Sequence, residues 1–229
     1  MPETAVPKPA FPPGELELES RGAHLGFVAH EVRNPLSTAL WSAELLSRMA
    51  PEDRAGARGD KLTAMCLRSL GRVRQLIEDH FLCERLDAEG IPLHGEPIAL
   101  RSLIEELSRR KGMEVTLAAL EVPDPLRAFA DAAMLDRALE TLFSLAGREG
   151  NAVRVTGREE GGRVLLRFEG YPAADGLLRD PSKGTPGDSK GRSLAGPLLR
   201  RIAQALGGTL SLEQGSYLLT LPARGEASP

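Results

Sequence analysis

The chain has 229 residues, of which 41% are hydrophobic and 27% are charged, and its formal net charge is -3. These values are typical of a soluble protein with one large or two small domains. The small net charge argues against nucleic-acid binding, and the absence of an apolar run of about 18 residues argues against a membrane span.

The first 14 residues are rich in proline, and we predict a disordered or extended leader over 1–14. They have neither the basic start nor the apolar run of a secretory signal. Cys66 and Cys83 fall in one predicted helix, roughly 25 Å apart along its axis, so they cannot form a disulfide within it. Two reduced thiols in a cytoplasmic protein are the simplest interpretation.

Two long amphipathic helices are predicted over residues 15–90. The first runs from about Glu15 to Met49, a polar stretch of residues 51–60 interrupts it, and a second helical pattern follows. Two long helices with a short connection predict an antiparallel hairpin. Because one hairpin leaves much apolar surface exposed, we expect two to form a homodimeric four-helix bundle. The apolar stripes are Leu25, Val28, Val32, Pro35, Ala39, Ala43 and Leu46, then Leu62, Cys66, Leu70, Val73, Ile77, Phe81 and Leu86.

A second domain is predicted over residues 97–223, where strand-like alternation replaces the long helical pattern. The expected fold class is therefore α+β, with helices on one face of a sheet. A loop rich in glycine, proline, aspartate and lysine is expected over residues 171–190. The predicted strands are Ile98–Leu100, Met113–Leu117, the hairpin of Ala152–Thr156 with Arg163–Phe168, and the hairpin of Thr209–Leu212 with Tyr217–Leu221. The predicted helices begin at Ser102, at Asp131 and near Pro197.

His30 is the most informative residue of the first helix. It lies about 200° round the helix from Val28 and from Val32, so it points away from the predicted buried stripe. The neighbouring Glu31 can accept the proton of one ring nitrogen and leave the other free to attack a phosphoryl group. Asn34, one turn later, can hold a water molecule in line with that group.

An exposed histidine on a helix usually has no chemical role, and this is our interpretation of His24, His80 and His94. His30 differs because His30-Glu-Val-Arg-Asn-Pro-Leu36 resembles the phospho-acceptor motif of two-component sensor histidine kinases, His-Glu-Leu-Arg-Asn/Thr-Pro-Leu. The resemblance implies that the hairpin is a dimerisation and histidine phosphotransfer domain. It also implies that His30 accepts phosphate, that Glu31 is an acid/base and that Asn34 positions water for phosphatase chemistry.

The second domain resembles the GHKL-type ATP-binding domain that follows in this family, an α/β sandwich. Residues 135–148 match the N box, Leu-x-x-x-Leu-x-Asn-Leu-x-x-Asn-Ala-x-Lys, at its apolar positions and at its basic end, Arg148. Thr141 and Leu145 replace the two asparagines, the second of which ligates Mg²⁺ in the family. An isobutyl group cannot coordinate a cation that needs oxygen ligands.

Two later nucleotide motifs are also degraded. The family's Asp-x-Gly-x-Gly can be aligned in two ways. In one, Phe168 takes the aspartate position and Gly170 the first glycine position. In the other, Glu169 takes the aspartate position, but Tyr171 and Ala173 replace the glycines. The box Gly-x-Gly-Leu-Gly-Leu keeps Gly191 and the central leucine, whereas Ser193 and Ala195 replace glycines that let backbone amides approach phosphate. The resemblance therefore implies that the GHKL-type fold is kept and the nucleotide contacts are degraded.

Three functions follow from these patterns. In the first, the chain is a phosphotransferase that carries phosphate on His30 from the receiver domain of a hybrid or sensor kinase to a response regulator, without cofactor or metal. The second is a divergent kinase that uses ATP and Mg²⁺, with Arg148, Glu169, Gly170 and Gly191 binding the nucleotide. The third is a non-catalytic module that docks on two-component proteins. In each case the regulator surface is expected around Phe27, Arg33 and the exposed side of the second helix.

Overall fold

The computed structural model of the chain describes residues 13–88, 92–110, 115–172, 178 and 194–224, with side chains from residue 25 onward. The described residues divide into two compact units, one ending at Glu78 and the other starting at Asp79. None of the described helices is both long enough and apolar enough to cross a membrane. The predicted leader and most of the predicted loop over 171–190 lie outside the described residues.

The first unit is the predicted helical hairpin. Helix α1 spans Pro13–Arg48, a short helix α2 spans Pro51–Arg54 within the turn, and helix α3 spans Ala57–Ala88. The thiol of Cys66 donates to the carbonyl oxygen of Ala39 at 3.6 Å. These two residues lie at similar distances from the turn, as the antiparallel arrangement requires.

The predicted stripe of α3 is only partly correct. Leu62 of the stripe is buried, but Leu70 and Ile77, which the stripe includes, are exposed. Leu76, which the stripe does not include, is buried. The helix carries two adjacent apolar rows, and only one of them faces α1, so a single periodic stripe could not distinguish them.

Among the described residues, the second unit contains three α-helices and seven strands, and one of its helices begins at a capping residue. Asp131 caps helix α5, since its carboxylate accepts hydrogen bonds from the backbone N–H of His94 and Met134, both at 3.0 Å. Those bonds hold the pKa of Asp131 below its ordinary value. The elements are β1 (Gly95–Ala99), α4 (Leu100–Ser108), β2 (Leu117–Glu121), β3 (Arg127–Asp131), α5 (Ala132–Ala146), β4 (Val153–Glu160), β5 (Arg163–Glu169), α6 (Ala195–Ala205), β6 (Thr209–Glu213) and β7 (Ser216–Pro222).

The strands form two sheets. A five-stranded sheet has the order β2-β4-β5-β7-β6, in which β2 and β4 are parallel and all other neighbours are antiparallel. Strands β1 and β3 form a separate antiparallel pair. The predicted hairpin of β4 and β5 is confirmed, and Gly161 and Gly162 both adopt positive φ in its turn. The closing hairpin of β6 and β7 is also confirmed.

Three local expectations need correction. Ser102 does not cap α4: the cap position is Ala99, and Leu100 already belongs to the helix. Strand β3 has no counterpart among the predicted strands. Of the strand predicted at 113–117, residues 113 and 114 lie outside the described residues, and β2 begins only at Leu117.

The core of the second unit lies between the sheet and its helices, and it includes Cys83 of α3. The predicted change of domain comes after residue 90, whereas the compact units divide at Glu78, because the last turns of α3 pack into this core.

Gly59 allows a close approach of α3 to the turn, because a Cβ there would lie 2.0 Å from the backbone oxygen of Arg54. We expect Gly59→Ala to lower the free energy of unfolding by about 1–3 kcal/mol, measured by urea denaturation followed by circular dichroism. Gly71, on the same helix, has no atom within 4 Å of an added Cβ. Gly71→Ala should therefore raise the free energy of unfolding by about 0.5–1 kcal/mol. An equal effect of the two substitutions would contradict the close approach at Gly59.

Candidate functional site

His30 lies on the solvent side of α1. Its side chain is 58% exposed, and its Nδ1 is 3.7 Å from the carboxylate of Glu31, whose side chain is 26% exposed. His30 is half a turn from Ala39, which is buried against α3. Nδ1 therefore faces a carboxylate while Nε2 remains available, which is the arrangement that nucleophilic attack on a phosphoryl group needs.

Helix α1 continues through Pro35, which cannot donate a backbone hydrogen bond to the carbonyl of Glu31. Hydroxyl groups add hydrogen bonds to the following turns: Thr38 donates to the carbonyl oxygen of Asn34 at 3.2 Å, and Ser42 donates to that of Thr38 at 2.8 Å. The side chain of Asn34 is exposed one turn from His30. His30, Glu31 and Asn34 thus share one accessible stretch of α1, as the sequence predicts.

An exposed apolar face runs along the hairpin. Leu36 lies about 60° round α1 from Ala39, and Leu70 lies about 80° round α3 from Leu62 in the same rotational sense. In two antiparallel helices that face each other, such residues lie on the same side of the pair. The exposed apolar side chains on the two helices are Leu25, Leu36, Leu40, Leu67, Leu70, Ile77 and Phe81, apart from Trp41.

Trp41 belongs to the His30 side of the hairpin and not to the apolar face. It is 11 residues after His30, which returns it to within about 20° of the same direction, and it is 56% exposed. Arg68 and Arg72 of α3 are also exposed. They lie about 120° and 80° round α3 from Leu62 in the sense opposite to Leu70, so they are on the side of the pair away from the apolar face. The expected regulator surface did not include Trp41, although its 11-residue spacing from His30 was a readable signal.

Aromatic side chains surround Phe168, one of the two residues that can align with the aspartate of the family's nucleotide motif. Phe168 of β5 is fully buried and packs edge to face on Phe143 of α5, with ring centroids 5.4 Å apart. The buried Tyr217 is its register partner on β7. Leu145, at the position of the family's Mg²⁺ ligand, is also buried, and the hydroxyl of Thr141 donates within α5 to the carbonyl oxygen of Arg137 at 2.8 Å.

Glu169 points to the other face of the sheet, because successive side chains of a strand alternate. Its carboxylate lies 3.9 Å from the guanidinium of Arg154, and both side chains are half exposed. Two alignments of the motif were possible, with either Phe168 or Glu169 at the aspartate position. Only the side chain of Phe168 faces the helices, so this alignment is the one that the structure favours.

Arg148 and Gly170 do come together at the end of α5. Tyr171 donates its backbone N–H to the carbonyl oxygen of Ala146 at 2.6 Å, and a Cβ on Gly170 would lie 2.3 Å from the same oxygen. Arg148 is close enough to lower the pKa of Tyr217, although burial outweighs it and raises that pKa overall. Gly191 and Ser193 lie outside the described residues, and Ala195 begins α6.

Comparisons with known proteins agree with this description. Residues 20–89 match the model of the His Kinase A (phospho-acceptor) domain. Residues 20–89 therefore belong to the His Kinase A (phospho-acceptor) domain family. Sensor protein TorS of Escherichia coli (strain K12) is 28% identical over 232 residues, an alignment that covers 92% of this chain and 25% of TorS. The chain therefore spans about a quarter of the length of this relative.

Solved structures of family members share the fold. The histidine kinase AdeS of Acinetobacter baumannii has a TM-score of 0.66 at 16% identity, over 86% of this chain and 98% of that one. ThkA, solved in complex with the response regulator protein TrrA, also has a TM-score of 0.66, at 18% identity over 93% of this chain and 65% of ThkA. ShkA, solved in complex with AMPPNP, has a TM-score of 0.57 at 21% identity, over 89% of this chain and 46% of ShkA. The fold class is thus confirmed: a phospho-acceptor hairpin followed by an α/β domain of the GHKL type.

Because Phe168 is a core residue, we expect Phe168→Ala to lower the free energy of unfolding of the α/β unit by about 3–5 kcal/mol. Glu169→Ala, next to it on the other face of the sheet, should change that free energy by less than about 1 kcal/mol, since the pair with Arg154 is exposed. Urea denaturation of the full chain measures both. If Glu169→Ala lowered the free energy of unfolding more than Phe168→Ala, the assignment of these two residues to opposite faces of the sheet would be contradicted.

Proposed function

We propose that the chain is a histidine phosphotransferase of a phosphorelay, loaded by a receiver domain and not by ATP. The observation that carries the proposal is the buried contact of Phe168 with Phe143. In the register described above, Phe168 occupies the position at which the family has the aspartate that reads the adenine amino group. A phenyl ring offers no acceptor for that group, and Leu145 offers no oxygen to Mg²⁺.

The reaction requires only the residues on α1. Nε2 of His30 attacks the phosphorus of an aspartyl phosphate, the P–N bond forms, and the P–O bond breaks so that the aspartate leaves as a carboxylate. The ring then carries a proton on Nδ1 and a positive charge, which Glu31 stabilises from 3.7 Å. The reverse sequence delivers the phosphoryl group to a second aspartate. When water is the acceptor, Asn34 would position it.

The partners of this reaction are receiver domains of response regulators and of an upstream hybrid or sensor kinase. ThkA has been solved with its response regulator, and ThkA shares the fold of this chain. On this chain, Trp41 is an exposed aromatic side chain in the direction of His30, and the exposed Arg68 and Arg72 add positive charge on the side of the hairpin away from the apolar face. Aromatic residues and arginine dominate binding energy at protein interfaces, and arginine complements an acidic phospho-accepting pocket.

An ATP-dependent kinase is the second candidate, because the same pair of His30 and Glu31 would serve it and Arg148 is retained near Tyr217. ShkA, solved with AMPPNP, shows that a protein of this fold binds a nucleotide analogue. Under our proposal, this chain differs from ShkA because the contact of Phe168 with Phe143 occupies the place of the adenine base.

A paired labelling assay tests the proposal. The full chain is incubated with radiolabelled ATP and Mg²⁺, and separately with a panel of ³²P-phosphorylated receiver domains. We expect label on the wild type only from a receiver domain, no label on His30→Ala, and full labelling of His94→Ala, which removes an exposed histidine elsewhere. Glu31→Gln should slow the transfer by about 10²–10⁴-fold. Label from ATP alone would establish the kinase instead, and no label in either experiment would leave a binding module.

We also propose that the chain is a homodimer, with the exposed apolar face of the two hairpins covered in a four-helix bundle. Leu70→Glu places a charge in that face and should convert the dimer to monomer in size-exclusion chromatography with light scattering. Trp41→Glu, on the His30 side, should leave the mass unchanged. A monomeric wild type, or a Leu70→Glu variant of unchanged mass, would contradict the proposed interface.

A further inference from the structure

The last turns of α3 have an unusual environment for the end of a hairpin helix. Asp79 is only 7% exposed, and Cys83 is fully buried in the core of the α/β unit. Leu82 and Leu86 are half-buried and pack against the same core. Burial raises the pKa of the Cys83 thiol to about 12, as expected for a site that excludes water.

A chain of alternating charges connects these turns to two other helices of the unit. Arg137 of α5 forms an ion pair with Asp79 and a second, at 3.4 Å, with Glu140. Glu140 also contacts Arg110, just after α4, at 3.1 Å. Arg110 in turn makes a two-pronged contact with Asp136, at 2.8 and 2.9 Å. The hydrogen bonds that Arg110 donates to the carboxylates of Asp136 and Glu140 raise the pKa of Arg110.

A second ion pair holds the end of the helix. Asp87 of α3 lies 2.6 Å from Arg201 of α6, which also donates to the carbonyl oxygen of Pro197 at 3.4 Å. The two acidic residues are eight positions apart, about two helical turns, with Cys83 between them. The segment is therefore fixed at both ends by charge and in the middle by apolar contact.

Breaking a buried ion pair by moving one partner is costly, since the other charge remains in a poorly solvated place. The turns from Asp79 to Ala88 cannot open without separating Asp79 from Arg137, and Arg137 belongs to α5. In contrast, the pair of Arg74 with Glu78 one turn earlier is highly exposed and contributes little.

We infer that Asp79–Ala88 is a conformational coupling element, which opens only together with α5 because of the contact between Asp79 and Arg137. Helix α3 then has two parts with different stabilities: Ala57–Glu78 opens with the hairpin and the rest opens with the α/β unit. A rotation of α3 about its axis must either break the ion pair or move α5. This inference is independent of where the phosphate on His30 comes from.

Hydrogen exchange of the full chain, read by mass spectrometry of peptides, tests the inference. In the wild type, peptides from 79–88 and from 132–146 should share one level of protection. Arg137→Gln should speed exchange over 79–88 by about 10- to 100-fold, while peptides from 57–76 stay unchanged. The matched control Arg74→Gln removes an ion pair from the same helix and should change neither region.

Two further variants keep the inference falsifiable if Arg137→Gln does not fold. Arg201→Gln should speed exchange at the end of the segment, around Asp87, without affecting 57–76. Asp79→Asn together with Arg137→Gln should exchange no faster than the faster single variant, since the contact between Asp79 and Arg137 is already lost in either one. The inference would be overturned if peptides from 79–88 exchanged at the same rate as the hairpin peptides from 57–76. It would also be overturned if neither Arg137→Gln nor Arg201→Gln changed the exchange rate over 79–88.

Discussion

The edge-to-face contact of Phe143 with Phe168 is the constraint on which the interpretation of this protein depends. It joins α5 to the middle strand of the five-stranded sheet. Both rings are fully buried, so the contact stabilises the α/β unit through close apolar packing. Our proposal that receiver domains and not ATP supply the phosphate depends on this contact.

The phospho-acceptor hairpin has the opposite character. His30, Glu31 and Asn34 are accessible, and their surroundings are those of an ordinary solvated helix. An exposed helix can supply a nucleophile and a carboxylate, but it neither excludes water nor orients the second reactant. Chemistry at such a site therefore depends on the groups that a bound partner supplies. The two units thus differ in character: the hairpin exposes His30, and the α/β unit has a buried core in a fold that histidine kinases of known structure share.

Much of this could be predicted from the sequence. The apolar period fixed the two long helices within a few residues, and Gly161-Gly162 marked the β-hairpin because both positions need positive φ. Strand β3 escaped prediction because it is short and pairs only with β1, distant in sequence. The choice between Phe168 and Glu169 was equally out of reach, since a one-residue shift of register exchanges the faces of a strand. The ion pair of Asp79 with Arg137 joins residues 58 positions apart, which no local pattern encodes.

The position of β7 has a consequence for how the protein is made. This strand is the last in sequence, yet it lies between β5 and β6 and contributes the buried Tyr217, Leu219 and Leu221. During synthesis, β2, β4 and β5 therefore emerge with an unpaired edge, and the sheet cannot be completed until residue 222 has left the ribosome. The described residues of the hairpin unit, which ends at Glu78, all precede the sheet in the chain. Helix α1 with His30 can therefore form on the nascent chain before the sheet is complete.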